Sequence, residues 1–224
     1  MTAKMEEDLA YLKDIAESGR EAPSLSGRFA LLWFGLLTVT LLIHWALARN
    51  FIPGIGIQYV GLFWIGMVVI GNIASRLIGR GMRDLPGQAA PNNRVENVTW
   101  TISGIGLAIF ALTLMAVVFL RDNMSAIMFD LIMPTAFLVY AVNYAAVAAF
   151  IKKQNKWVPV WISLLASAGT LALIGIPELY LVSAVAVAAL WVTSGLRQLL
   201  AGCPSEDFCC FAFNLRSLEK LDPR

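Results

Sequence analysis

The sequence predicts an all-α integral membrane protein: a bundle of six transmembrane helices with both termini in the cytoplasm and a short N-terminal amphipathic helix ahead of the first span. Three observations carry this. First, 58% of the 224 residues are hydrophobic and only 14% are charged, with a mean hydropathy of +0.71, which lies outside the range of an ordinary soluble domain. Second, the apolar residues gather into six runs, at 29–48, 57–78, 98–120, 129–151, 157–175 and 178–195, each close to the roughly 20 residues a helix needs to cross the hydrocarbon core. Third, the basic residues fall almost entirely on one side of those crossings. Lipid offers no partner to backbone N–H and C=O groups, so each span must satisfy its own; the strands of a barrel would alternate polar and apolar residues, and these runs do not.

Orientation follows from lysine and arginine, which favour the cytoplasmic side. With the N-terminus inside, fifteen of the seventeen fall in inner segments, and only Arg49 and Arg121 fall in outer ones. Tryptophan agrees, because its amphipathic ring prefers the headgroup level. Trp33, Trp100, Trp157, Trp161 and Trp191 sit near predicted inner ends and Trp45 near an outer one, whereas Trp64 is less diagnostic. A net charge of +2 with the basic residues placed where topology needs them does not imply nucleic acid.

Residues 1–28 form the first of three predicted regions, a cytoplasmic helix and linker. They carry four basic and six acidic side chains, so they do not read as a secretory signal. Within them Met5, Leu9, Leu12 and Ala16 recur at helical spacing. A helix that lies on anionic lipid should be rich in lysine and arginine, so an acidic one is better matched to protein. Leu9 and Leu12 are the expected contacts, with a second copy or another membrane or cytosolic protein. The transmembrane domain, 29–196, follows. Its longest connection, "GRGMRDLPGQAAPNNRVE" at 79–96, reads as an exposed cytoplasmic loop, and "ARNFIPGIG" at 48–56 and "GIPE" at 175–178 as turns closing tight hairpins. A cytoplasmic tail at 197–224 completes the chain. Its Cys203, Cys209 and Cys210 lack C-x-x-C spacing and lie on the reducing side, which favours inert thiols over a metal site.

Catalytic motifs are sparse. A single histidine excludes two-histidine metal sites, and neither a G-x-S-x-G elbow nor a Walker loop occurs, so neither enzyme activity nor a cofactor or metal is expected. Two polar sets remain. Asn72, Ser103, Asn143 with Tyr144, and Ser163 lie five to eight residues from predicted cytoplasmic ends, roughly 7 to 12 Å deep at the helical rise. They are candidates for a layer lining an inward cavity; interhelical hydrogen bonding is the preferred alternative, aided by the small residues Gly71, Ser75 and Gly79. The second set is ionisable. His44, Asp130 and Glu178 all fall in the outer leaflet, and charge inside a span suggests a site by default. They are candidates for an ion or proton cluster with a histidine that titrates in the physiological range. Helix-end electrostatics accounts for each of them separately and is the preferred reading. Thr40, one turn before His44, is a candidate partner for it, and Pro134 is positioned to bend the fourth span beside Asp130.

In texture the chain resembles small multipass proteins of bacterial inner membranes, which implies that localisation, with membrane lipid around the bundle. The expected function is that of a non-enzymatic multipass component that assembles with itself or a partner. The alternative is a small oligomeric transporter or channel for an ion or small solute.

Overall fold

A computed structural model of the chain describes residues 26–81, 91–121, 125–151 and 157–196, and among these every regular element is helical. Six α-helices follow in order: α1 (Ser26–Ala48), α2 (Val60–Gly81), α3 (Pro91–Leu120), α4 (Ile132–Ile151), α5 (Val158–Leu171) and α6 (Glu178–Leu190). Short 3-10 turns, Ile57–Tyr59 and Ala126–Leu131, lead into α2 and α4, and a π-helical segment, Trp191–Leu196, extends α6. Leu9, Leu12 and the tail cysteines lie outside the described residues.

Four helices are long and apolar enough to cross a membrane: Gly27–Ala48, Ile57–Gly81, Asn93–Leu120 and Ala126–Ala149. Of the other two, the sixth covers its expected run only with the π-helical segment that follows Leu190, and the fifth is shorter than the sequence suggests. The fifth ends at Leu171 after 14 residues, about 21 Å at the helical rise; the chain then turns through 172–177, with Gly175 at φ +83°. The apolar run continues through that turn, so hydropathy does not reveal the break. The third helix departs in the opposite direction, starting at Pro91 inside the segment expected to be loop. Proline suits a first helical position because its missing N–H is not needed there, and the polar start that follows is wound into helix.

α4 lies on α5, α3 on α4, and α1 between α6 and α2. The core comes mainly from α1, α4, α5 and α6, with Phe34, Leu41, Phe137, Val160, Leu179 and Leu190 inside. Half of the span window beginning at Ala126 is buried, against 6% of the windows in α2 and α3, so those two helices stand at the periphery. At one end of the α1–α2 contact, Trp33 lies across the small residues of α2. A Cβ placed on Gly71 would stand 2.7 Å from the Trp33 ring, and the Trp33 indole N–H donates to Ser75 Oγ at 3.0 Å. Gly79, one turn further on, faces Phe29. The stripe of small residues thus makes room for large aromatic side chains of α1.

The turn after α1 is closed by its own backbone. Phe51 N–H donates to the Ala46 carbonyl at 2.8 Å and Asn50 adopts φ +56°, the left-handed capping conformation that asparagine tolerates.

Candidate functional site

At the end of the bundle where α1 finishes and α4 and α6 begin, polar and aromatic groups from five elements meet. Asp130, in the 3-10 turn before α4, is only 8% exposed. Each of its carboxylate oxygens receives a donor from the α5–α6 hairpin: Gly175 N–H reaches Oδ2 at 2.9 Å and Tyr180 O–H reaches Oδ1 at 2.5 Å. A carboxylate this deep is costly unless paired or fully hydrogen-bonded, and here a backbone donor and a phenol meet that requirement. Asp130 therefore clasps the start of α4 to the turn and first residues of α6. It is held by groups from another hairpin rather than by the start of its own helix. Pro134 lies just after the junction of the 3-10 turn with α4, and its carbonyl accepts from Ser167 Oγ of α5 at 2.8 Å.

His44 joins the same group through Tyr180. The two rings stack with centroids 3.5 Å apart and an interplanar angle of 25°, while the Trp64 indole N–H of α2 donates to His44 Nδ1 at 3.3 Å. Nδ1 is thus the acceptor nitrogen, and the neutral ring carries its proton on Nε2. Thr40 is not the partner: its hydroxyl donates back to the Leu36 carbonyl at 2.9 Å, as threonine commonly does inside a helix. Face-to-face stacking joins His44 to Tyr180 by packing rather than by a hydrogen bond, so the Tyr180–Asp130 bond is not continued to the imidazole by that contact. Glu178, the first residue of α6, takes a different direction, pairing with Arg49 at 2.6 Å. That pair is partly exposed on both sides and ties the end of α1 to the start of α6. His44 and Asp130 therefore share Tyr180 as a neighbour, and Glu178 is engaged by Arg49 of the turn after α1.

The second polar set divides. Ser103 of α3 donates to Asn143 Oδ1 of α4 at 2.9 Å, and Tyr144 O–H donates to Ser194 Oγ in the π-helical segment at 3.1 Å. Ser194 in turn hydrogen-bonds the Leu190 carbonyl. Asn143 and Tyr144 are sequence neighbours, so these two bonds link α3, α4 and the end of α6 at one level. Asn72 is exposed and its amide donates to Val68 of its own helix at 2.8 Å, which places it apart from that group. Ser163 is fully buried on α5, with no hydrogen-bond partner for its hydroxyl among the described residues.

Sequence reasoning missed Gly175, which donates to Asp130, and four further residues. Trp64 and Tyr180 do not stand out among seven tryptophans and five tyrosines. Ser194 has no distinguishing neighbour. Glu96, assigned to a loop, is 6% exposed in α3. The spacing of Glu96, Trp100 and Ser103, four and then three residues, was the available signal for one helical face. An open groove lined by Ile109, Leu112, Thr113 and Ala116 of α3 shares no residue with either polar set. No protein-family model, curated protein or solved structure matches this chain.

Proposed function

We propose that the protein is a non-enzymatic, six-span component of a bacterial inner membrane, with both termini in the cytoplasm, that acts by assembling with itself or with a membrane or cytosolic partner. One observation carries this reading. The polar side chains inside the bundle tie its own helices together, whereas α2 and α3 fully bury only 6% of their span windows and leave many large apolar side chains exposed, among them Leu62, Ile65, Ile105 and Ile109. The α5–α6 hairpin, clasped to α4 by Asp130, is the proposed fifth and sixth crossing. In this reading Leu9 and Leu12 supply the cytoplasmic contact.

The crossing number and orientation are tested by labelling. Single cysteines at Gln88 and Asn155, in a background lacking Cys203, Cys209 and Cys210, are expected to resist membrane-impermeant thiol reagents in intact cells, and one at Asn123 to react. The reverse pattern overturns the orientation.

Assembly is tested separately, by mass measurement and identification of copurifying proteins after extraction in mild detergent. Changing Leu9 and Leu12 to Asp is expected to leave the protein inserted but to reduce its assembled mass or remove its partner. An unchanged profile rules out that contact.

A second reading, a small oligomeric transporter or channel, is favoured by the shared contacts of His44 and Asp130 with Tyr180. Proton or cation flux into proteoliposomes that is lost in Asp130→Asn would select it.

A further inference from the structure

We propose that His44 is a proton-binding site whose occupancy cuts the tie between α1 and α2 at this end of the bundle. The inference rests on donor and acceptor chemistry and is independent of the assembly reading. Trp64 offers only a donor, its indole N–H, and has no acceptor with which to reverse the bond. The bond to His44 Nδ1 at 3.3 Å therefore exists only while that nitrogen keeps its lone pair. A proton taken from water onto Nδ1 converts imidazole to imidazolium, and two N–H groups then point at each other. The Trp64 bond is lost and its N–H must turn to another acceptor.

Burying the imidazolium costs solvation, and the surroundings offset part of that cost. From α6, Tyr180 presents its ring face at 3.5 Å, and aromatic faces attract cations. From the 3-10 turn before α4, the Asp130 carboxylate is bonded to the hydroxyl of that same Tyr180, which places a negative charge one side chain away from the imidazole. The remaining charges nearby are Arg49, on the turn after α1, and Glu178 on α6, which are bound to each other at 2.6 Å and so largely offset one another. From the α2 side, Trp64 carries no charge, and Tyr59 in the preceding turn is exposed. Proton binding thus exchanges the Trp64 contact for interactions with Tyr180 and Asp130, moving His44's allegiance from α2 to α4 and α6.

The remainder of the α1–α2 contact does not depend on protonation. Trp33 remains seated on Gly71 and bonded to Ser75, so α2 stays anchored at its far end while its Trp64 end is released. His44 is four residues from the last residue of α1, about 6 Å along the axis, within reach of water at the headgroups. The direction in pH follows: the tie is intact where His44 is neutral and is lost as pH falls through the histidine's own titration.

The test follows the seven tryptophan indole N–H signals of the full chain by NMR in lipid nanodiscs, between about pH 8 and about pH 3, a range wide enough for a buried histidine as well as an ordinary one. The Trp64 signal is identified by its disappearance in Trp64→Phe. It is expected to shift upfield with a single-proton curve whose midpoint equals that of the His44 ring signals. His44→Gln, which keeps an amide oxygen as acceptor at every pH, is expected to abolish the response. The proposal is overturned if the His44 ring titrates while the Trp64 signal stays fixed, if the ring does not titrate in this range, or if the Trp64 response survives in His44→Gln.

Discussion

Asp130→Ala is expected to lower stability by about 2 to 4 kcal/mol, because hydrogen bonds to a charged acceptor contribute about 1.5 to 3 kcal/mol each and an orphaned buried donor adds its own penalty. Two donors lose their acceptor in this variant, Gly175 N–H and Tyr180 O–H. Neutral side-chain bonds between membrane helices contribute far less, on average about 0.6 kcal/mol, so Ser103–Asn143 and Tyr144–Ser194 should each weigh less than the Asp130 clasp. Asp130→Asn retains one carbonyl oxygen and turns an NH₂ toward the other donor, which places its cost between that of alanine and the natural residue. Unfolding in mixed micelles gives the comparison. Tyr180→Phe, combined with Asp130→Asn, separates this account from a general loss of packing. If the hydroxyl and the carboxylate act as one unit, the double variant costs less than the sum of the singles. Additivity within about 0.5 kcal/mol would mean that they do not.

The same clasp shows how far the sequence could be read. The helices are legible because their apolar runs are long, and the ionisable residues within those runs, His44, Asp130 and Glu178, stand out for the same reason. Their partners are not legible. Trp64 and Tyr180 are residue types that membrane proteins place everywhere, and only the fold decides which one meets His44. Helix ends failed where composition misled. Asn92, Asn93, Arg94 and Glu96 read as a loop, yet they follow Pro91 into α3. Leu171 to Ile174 read as span, yet the helix ends there because Gly175 turns the chain back to bring its N–H to Asp130. Glu178 was grouped with His44 and Asp130 by depth alone, and depth says nothing about rotation around the helix axis, which points it to Arg49. Asn72 shows the same limit: at the right depth for a layer, it lies on the outward side of α2.

Gly175→Ala carries the second large expected effect, about 2 to 3 kcal/mol. Two separable causes contribute. The backbone at Gly175 has φ +83°, where an L-residue costs about 1 to 2 kcal/mol. A Cβ there would also stand 2.7 Å from Ile127 Cδ1, so either that side chain shifts or the turn moves away from Asp130 and loses the 2.9 Å bond. Gly54 separates the two. It has almost the same backbone, φ +82°, but nothing within 4 Å of a built Cβ, so Gly54→Ala measures the conformational cost alone. The excess at Gly175 then belongs to Ile127 and the Asp130 clasp. Adding Ile127→Val removes the clashing Cδ1 and is expected to return Gly175→Ala to the Gly54→Ala value, within the cost of the valine change itself. If the excess persists after Ile127→Val and also persists in an Asp130→Asn background, neither the contact nor the clasp explains it. If it vanishes in the Asp130→Asn background alone, the turn's contribution to stability passes through the carboxylate, because the glycine then matters only for bringing its N–H to Asp130.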